Sequence, residues 1–206
     1  MKTKLAIFSL FGLFLMSQVR AQTNLSFGVS AGVNFQNLTG KDNTGDKYAN
    51  KLKTGFTIGA NVEVPVATDF YLQPGILYAG KGAKYKNSDD KTTLSYLEIP
   101  VYFLYKPVLG NGKLLLGVGP YAAFGIGGKD RFGNIDTDVQ FGSKPDEYKR
   151  FDAGGNFLVG YELSNRFSAQ LNAGLGLVNL NNREDGDTKS SLKNTGFGVS
   201  VGYRFN

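Results

Sequence analysis

Glu63 and Glu98 are the side chains nearest to a chemical apparatus, two carboxylates set in runs of alternating polarity, with Arg204 as the cation best placed to meet them. Such a set can share a proton, guide a cation or form an internal salt-bridge network. In a narrow interior the last reading has the advantage, because buried carboxylates need cations. Other chemistry is thin. The 206 residues include no cysteine and no histidine, which removes disulfides, thiolate or imidazole metal sites and histidine-based proton transfer. Gly125-Ile126-Gly127-Gly128 and Gly174-Leu175-Gly176 lack the following helix that a phosphate loop requires. Asn181-Asn182-Arg183-Glu184-Asp185-Gly186-Asp187 has the acidity of a calcium loop, but Arg183 stands at a ligand position and Leu192 where the closing Glu belongs. No catalytic residue, metal site or cofactor is assigned, and the expectation is a protein that is not an enzyme.

The elements that would position these residues begin after a targeting segment. Lys2 and Lys4 form a basic start, residues 5–16 are apolar, and Val19-Arg20-Ala21 supplies small residues for signal-peptide cleavage, giving a signal peptide over 1–21 and a mature domain over 22–206. The apolar run is shorter than the roughly 20 residues of a spanning helix. Losing Lys2, Lys4 and Arg20 halves the net charge of +6, so nucleic acid is not an expected partner.

From Gln22 onward the hydrophobic period is two. Leu25, Phe27, Val29, Ala31, Val33 and Phe35 share one face, with Ser26, Gly28, Ser30, Gly32 and Asn34 on the other. The pattern recurs over residues 56–66, 70–78, 97–105, 114–124, 151–161, 167–177 and 196–205, predicting eight strands. Short turns at 67–69, 106–112 and 164–166 alternate with long polar segments at 36–53, 84–93, 127–150 and 179–195. That alternation predicts an all-β, eight-stranded antiparallel up-and-down transmembrane β-barrel in an outer membrane. Aromatics on the apolar face cluster at both strand ends, as two membrane interfaces require: Phe27, Phe70, Tyr105, Tyr161, Phe167 and Tyr203 near the short turns, Phe35, Phe56, Tyr78, Phe124, Phe151 and Phe197 near the long loops. A soluble ligand barrel would turn that face inward; the small, glycine-rich opposite face suits a cramped lumen better.

The lumen is therefore expected to be a polar plug containing Asn61, Glu63, Tyr96, Glu98, Asn156, Gln170, Asn172 and Arg204, with Glu98 and Glu63 as partners of Arg204. Pro65, Pro74, Pro100 and Pro120 each remove a ladder donor and predict bulges or local irregularities. Of the long loops, 127–150 is the longest, and its Phe132 and Tyr148 are candidate contacts for an extracellular or envelope protein partner. Lys81, Lys84 and Lys86 are expected near the outer rim, placed to meet lipopolysaccharide phosphates. A monomer in outer-membrane lipid is the expected state. Solute transport and an assembly or secretion role are the competing functions.

Leu72-Gln73-Pro74-Gly75, Tyr96-Leu97-Glu98-Ile99-Pro100-Val101, Gly117-Val118-Gly119-Pro120-Tyr121-Ala122 and the ending Gly202-Tyr203-Arg204-Phe205 together resemble the PorT-like outer-membrane β-barrel family of Bacteroidetes-type Gram-negative bacteria. The resemblance spans the mature chain and implies an eight-stranded barrel in the outer membrane. One member type is linked to secretion and gliding, and nothing in these residues points to that branch. The ending Phe205-Asn206 departs from the terminal aromatic usual in outer-membrane barrels.

Overall fold

The computed structural model describes residues 25–205 apart from 87, 146, 183–186 and 188. The signal-peptide segment and Arg183 of the calcium-like stretch lie outside the described residues. Eight long strands make the barrel: β1 (Ser26–Lys41), β2 (Lys53–Ala67), β3 (Phe70–Tyr85), β4 (Lys91–Tyr105), β5 (Gly112–Phe132), β6 (Phe151–Glu162), β7 (Phe167–Gly176) and β8 (Ser191–Arg204). Each is antiparallel to its chain neighbour, and β8 returns to β1 in a register running from Gly28↔Arg204 to Lys41↔Ser191. Closure removes both sheet edges, so the ladder satisfies backbone groups that hydrocarbon could not. Short pieces add to the outer and inner rims: Asn50–Lys51 pairs with β3, while Val108–Leu109 and Ile135–Asp138 pair with β5.

The outward face follows the period-two pattern. Val29, Ile58, Ile76, Ile99, Val118, Val159, Leu171 and Val201 are exposed on the barrel wall, which would be untenable in water but is ordinary in hydrocarbon. The two aromatic belts are contact sets. Phe35 meets Phe197 (centroids 5.4 Å apart), Phe56 stacks on Tyr78 (5.0 Å) and Phe124 meets Phe151 (5.5 Å) at one end; Phe70 stacks on Tyr105 (4.7 Å) and Phe167 meets Tyr203 (4.9 Å) at the other.

The short turns are tight. Asp69 (φ 62°), Gly110 (φ 60°) and Arg166 (φ 71°) take left-handed conformations in them, where Asp and Gly are at ease and Arg is unusual. The prolines interrupt the ladders. A register shift lies between Pro65 and Ala67, and the β3–β4 ladder is interrupted between Pro74↔Val101 and Leu77↔Glu98, where Pro100 lacks its N–H. At Pro120 the register toward β6 runs on unbroken to Gly155, while the β4–β5 ladder is interrupted between Pro100↔Tyr121 and Phe103↔Val118.

The long segments are shorter than the sequence pattern implies, because pairing continues past the outer belt. β1 runs on to Lys41, β3 to Tyr85 and β5 to Phe132, where it folds back on Ile135–Asp138. Above the belt the barrel has an ordinary water-side core: Leu38, Leu94, Tyr96, Val139, Leu180 and Leu192 are buried inside, with Tyr48, Phe141 and Tyr148 packed against them. Gly125 makes room for this, since a Cβ there would collide with the Phe141 ring.

The turn at the outer end of β1 is closed by Asp42. Its Oδ1 accepts from the Thr44 hydroxyl (2.6 Å) and from the amides of Thr44, Gly45 and Asp46 (2.9, 2.9 and 3.0 Å). The Thr44 hydroxyl is the largest cause holding this carboxyl below the ordinary value of 3.8; desolvation opposes it, and the amides add to it. A depressed folded value makes the turn more stable above the unfolded pKa, and that gain is lost as pH falls through the folded value. Replacing Thr44 with Val should move the Asp42 titration, followed by carboxyl NMR, upward toward 3.8. An unmoved titration would show that the hydroxyl is not the cause.

Candidate functional site

The lumen holds two polar clusters at different heights. Near the short-turn end, Lys106 Nζ lies 2.8 Å from Glu63 Oε2 and 2.9 Å from Glu162 Oε2, and Arg204 Nη2 lies 2.6 Å from Glu63 Oε1. Gln73 Nε2 donates to Glu63 Oε1 at 3.0 Å, and Arg204 Nη1 donates to Asn61 Oδ1 at 2.8 Å. Gly28 opens the wall for this guanidinium: a Cβ there would stand 2.8 Å from Nη1. The two cations balance the two carboxylates, and every charge has a partner, which is the condition for burying ions at tolerable cost.

Higher up, Lys81 Nζ is 2.7 Å from Glu98 Oε2 and 3.5 Å from Asp152 Oδ2. Asp152 Oδ2 also accepts from Tyr121 Oη (3.1 Å) and Asn194 Nδ2 (2.9 Å), and Asn156 Nδ2 donates to Glu98 Oε1 at 2.9 Å. The Lys81 ammonium sits 4.3 Å from the Tyr121 ring centroid and 5.3 Å from that of Tyr96, close enough for cation–π attraction. A cavity of about 120 Å³, reached by Asn34, Gln73, Asn172 and Asn194, remains between the clusters. The lumen is not wholly polar. Tyr102, Leu104, Leu115 and Leu158 pack together inside, with Tyr71 against them.

Glu63, Asn61 and Arg204 thus meet in one cluster, and Glu98 and Asn156 in the other. Tyr96 lies above them in the outer core, its ring edge-on to Phe141. Gln170 turns to Ser168 (3.0 Å) and Asn172 to Ser200 (2.8 Å). Three expectations need correction. Glu98 is not a partner of Arg204, because the Lys81 ammonium occupies that place. Lys81 is not an outer-rim lysine: it shares the inward parity of Gln73, Leu77 and Ala79 and is only 6% exposed. Tyr148 is not a free loop aromatic, since it packs against the outer core, where burial pushes its phenol up. Phe132 does stand in the open, 52% exposed, 5.9 Å from the Tyr85 ring. Lys84 and Lys86 are exposed.

Lys106, Glu162, Asp152, Tyr121, Gln73 and Asn194 complete the clusters and are not among the lumen residues expected from sequence. Their signal was present in strand parity. Lys106 continues the inward row of Tyr102 and Leu104, and Asp152 and Glu162 share the even row of Asn156.

No histidine, thiol or metal-ligand cluster occurs among the described residues, and the lumen carboxylates meet lysine, arginine, amide and tyrosine donors, with Asp152 Oδ1 left without a hydrogen bond. The family model of the outer membrane protein beta-barrel domain matches residues 16–182. The chain belongs to that family. The family gives the fold its place: this is an outer-membrane barrel. Solved barrels of similar shape include Ail, the attachment invasion locus protein of Yersinia pestis (12% identity, 87% of this chain and 98% of that one, TM-score 0.45). Neisserial surface protein A is similar at 13% identity over 87% of this chain and 97% of that one, with a TM-score of 0.48. A major outer membrane protein of Thermus thermophilus is similar at 14% identity over 88% of this chain and 100% of that one, with a TM-score of 0.44. No curated protein sequence matches the chain.

Proposed function

We propose that this outer-membrane barrel is a non-catalytic surface protein, exported by cleavage of residues 1–21, whose mature domain over 22–206 presents its long-loop end outside the cell to an envelope or extracellular protein partner. The observation that carries the reading is the division of the interior. Salt-bridge clusters occupy the lower and middle lumen on either side of a small cavity and an apolar core packs above them, which favours the outer surface as the feature left to act. There the hairpin joining β5 to Ile135–Asp138 carries exposed Phe132 (52%) and Ile135 (70%) at its turn, an apolar tip of the kind that partners cover. The PorT-like motifs of the sequence support a place in that branch of the family, and the closed ladder, with no edge left for pairing, supports a monomer.

An epitope inserted at Gly133, the left-handed glycine of that turn, should be labelled on intact cells. Labelling only after lysis would reverse the orientation. Crosslinking followed by copurification should lose its captured partner when Phe132 and Ile135 become Ser, and a partner retained by that variant would move the contact elsewhere. The transport reading is tested separately. Planar bilayers containing the intact protein should show no sustained conductance, and large stable single-channel currents would revive a solute path.

A further inference from the structure

Above the outer aromatic belt four cations stand side by side on successive strand segments. Lys51 is directly opposite Lys84, Lys84 opposite Lys91, and Lys91 opposite Arg131. Like charges directly opposed across a sheet are destabilising, so a row of three such pairs calls for a counter-charge. The pleat puts the row on the outside of the barrel. Ala83 and Thr92, the inward neighbours of Lys84 and Lys91, are fully enclosed at 1% and 0%, while Lys84 is exposed. Arg131 has a counter-charge in Asp136, with Nε 2.5 Å from Oδ1. Among the described residues Lys51, Lys84 and Lys91 form no ion pair, although Asp89 shares their hollow.

Lys53, on the inward row of β2, adds to the positive charge beside this row. It is 7% exposed, and its ammonium reaches the Thr54 carbonyl at 3.4 Å with no carboxylate beside it among the described residues. Burial holds it below the usual lysine range, and the charges of Lys91 and Lys84 push the same way. The row borders a hollow of about 500 Å³ reached by Lys51, Lys84, Lys91 and Arg131. A second hollow of about 720 Å³ continues from Lys91 and Arg131 down past Ile126 to Tyr78 of the outer belt, with Lys129 and the carboxylates of Asp136 and Asp138 also on its wall.

We propose that this face binds an outer-leaflet glycolipid, its phosphate groups on the Lys51–Lys84–Lys91–Arg131 row and its apolar part along Ile126 and Tyr78. The placement rests on the outward orientation proposed above. Phosphate is the chemistry that a row of cations neutralises best, because one group can span two ammonium charges. A phosphorylated amphiphile matches both levels of the face, cationic above and aromatic-aliphatic below. A soluble polyanion would use only the upper level.

The test uses the full barrel in detergent micelles, where orientation in cells has no influence, so failure here is separable from failure of the surface reading. The probes are bisphosphorylated lipid A, the same lipid with its phosphates removed, and inorganic pyrophosphate. Lipid A should be retained in native mass spectra and raise the unfolding temperature, and added salt should weaken both effects. Replacing Lys84 and Lys91 together by Gln should weaken binding about twenty-fivefold, at about fivefold per lysine near a charged surface. Exposed Lys47 and Lys144, changed to Gln as a charge-matched pair, should leave it unchanged. Without lipid the Lys84→Gln, Lys91→Gln variant should unfold no earlier than the parent, since repulsion is relieved, which separates lost binding from lost folding. Equal binding by parent and variant would overturn the site. Equal stabilisation by pyrophosphate, or by the dephosphorylated lipid, would overturn its assignment to a phosphorylated lipid.

Discussion

Replacing Lys106 with Met should destabilise the barrel by about 3–5 kcal/mol, the usual cost of removing one member of a buried ion pair. The ammonium is the hub of the lower cluster, with side-chain exposure of 3% and carboxylates on both sides. Without it Glu63 keeps Arg204 and Gln73, but Glu162 is left with a contact of 3.9 Å to Arg204 Nε. Met preserves most of the aliphatic stem, so the loss reports charge rather than packing. Urea unfolding of the barrel in lipid vesicles, followed by tyrosine fluorescence or by protease protection, measures the change. A Glu162→Gln substitution added to Lys106→Met should recover part of the loss by removing the stranded carboxylate. Lys144→Met, at a side chain 78% exposed, should stay within about 0.5 kcal/mol of the parent. A Lys106→Met barrel as stable as the parent would mean that the cluster makes no net contribution.

The second large effect is expected at the opposite end and from different physics. Leu180 is fully buried although it lies outside every strand, enclosed with Tyr96, Leu94 and Val139 in the outer core. Truncation to Ala should cost about 2–5 kcal/mol, the range for a Leu-sized void in a well-packed interior. This core is surrounded by water, so the hydrophobic effect applies to it in full, which it does not on the lipid-facing wall. Limited proteolysis should locate the damage: cleavage in residues 139–149 should accelerate in Leu180→Ala before the membrane band is affected. Unchanged stability together with unchanged cleavage would show that the outer mouth is not held by this packing. Removing the whole 127–150 segment is likewise not innocuous, because Val139, Phe141 and Tyr148 belong to the same core.

The lipid-facing wall is legible in the sequence because one rule governs it: every second residue from Phe27 to Phe35, or from Leu114 to Phe124, meets hydrocarbon. The lumen is legible by the same parity, and residues escape notice where parity is not followed far enough. Lys106 reads as the first residue of a turn, yet it keeps the inward row of β4 and reaches back into the barrel. Lys81 reads as a rim lysine because of its neighbours Lys84 and Lys86, yet its odd number places it inside with Gln73 and Ala79. The outer core is illegible for a stronger reason. Past the belt the surroundings change from hydrocarbon to water, and the apolar row changes sides: Leu38, Leu94 and Leu192 face inward where polar residues do so lower down. Leu180 and Tyr148 come from segments with no periodicity at all, and only the folded chain brings them together.

The seam between β1 and β8 has a consequence for the timing of assembly. The strand that begins at Ser26 has no wall on one side until the strand that ends at Arg204 has arrived. Every other stave can zip to its neighbour in chain order, through contacts local enough to form early, but this one joins the most distant parts of the domain. A ribosome cannot release a closed barrel in stages. Until β8 is in place the barrel cannot close, and until the barrel lies in lipid the exposed row of Val29, Ile58 and Ile76 faces water, so the unclosed chain is the state most open to aggregation.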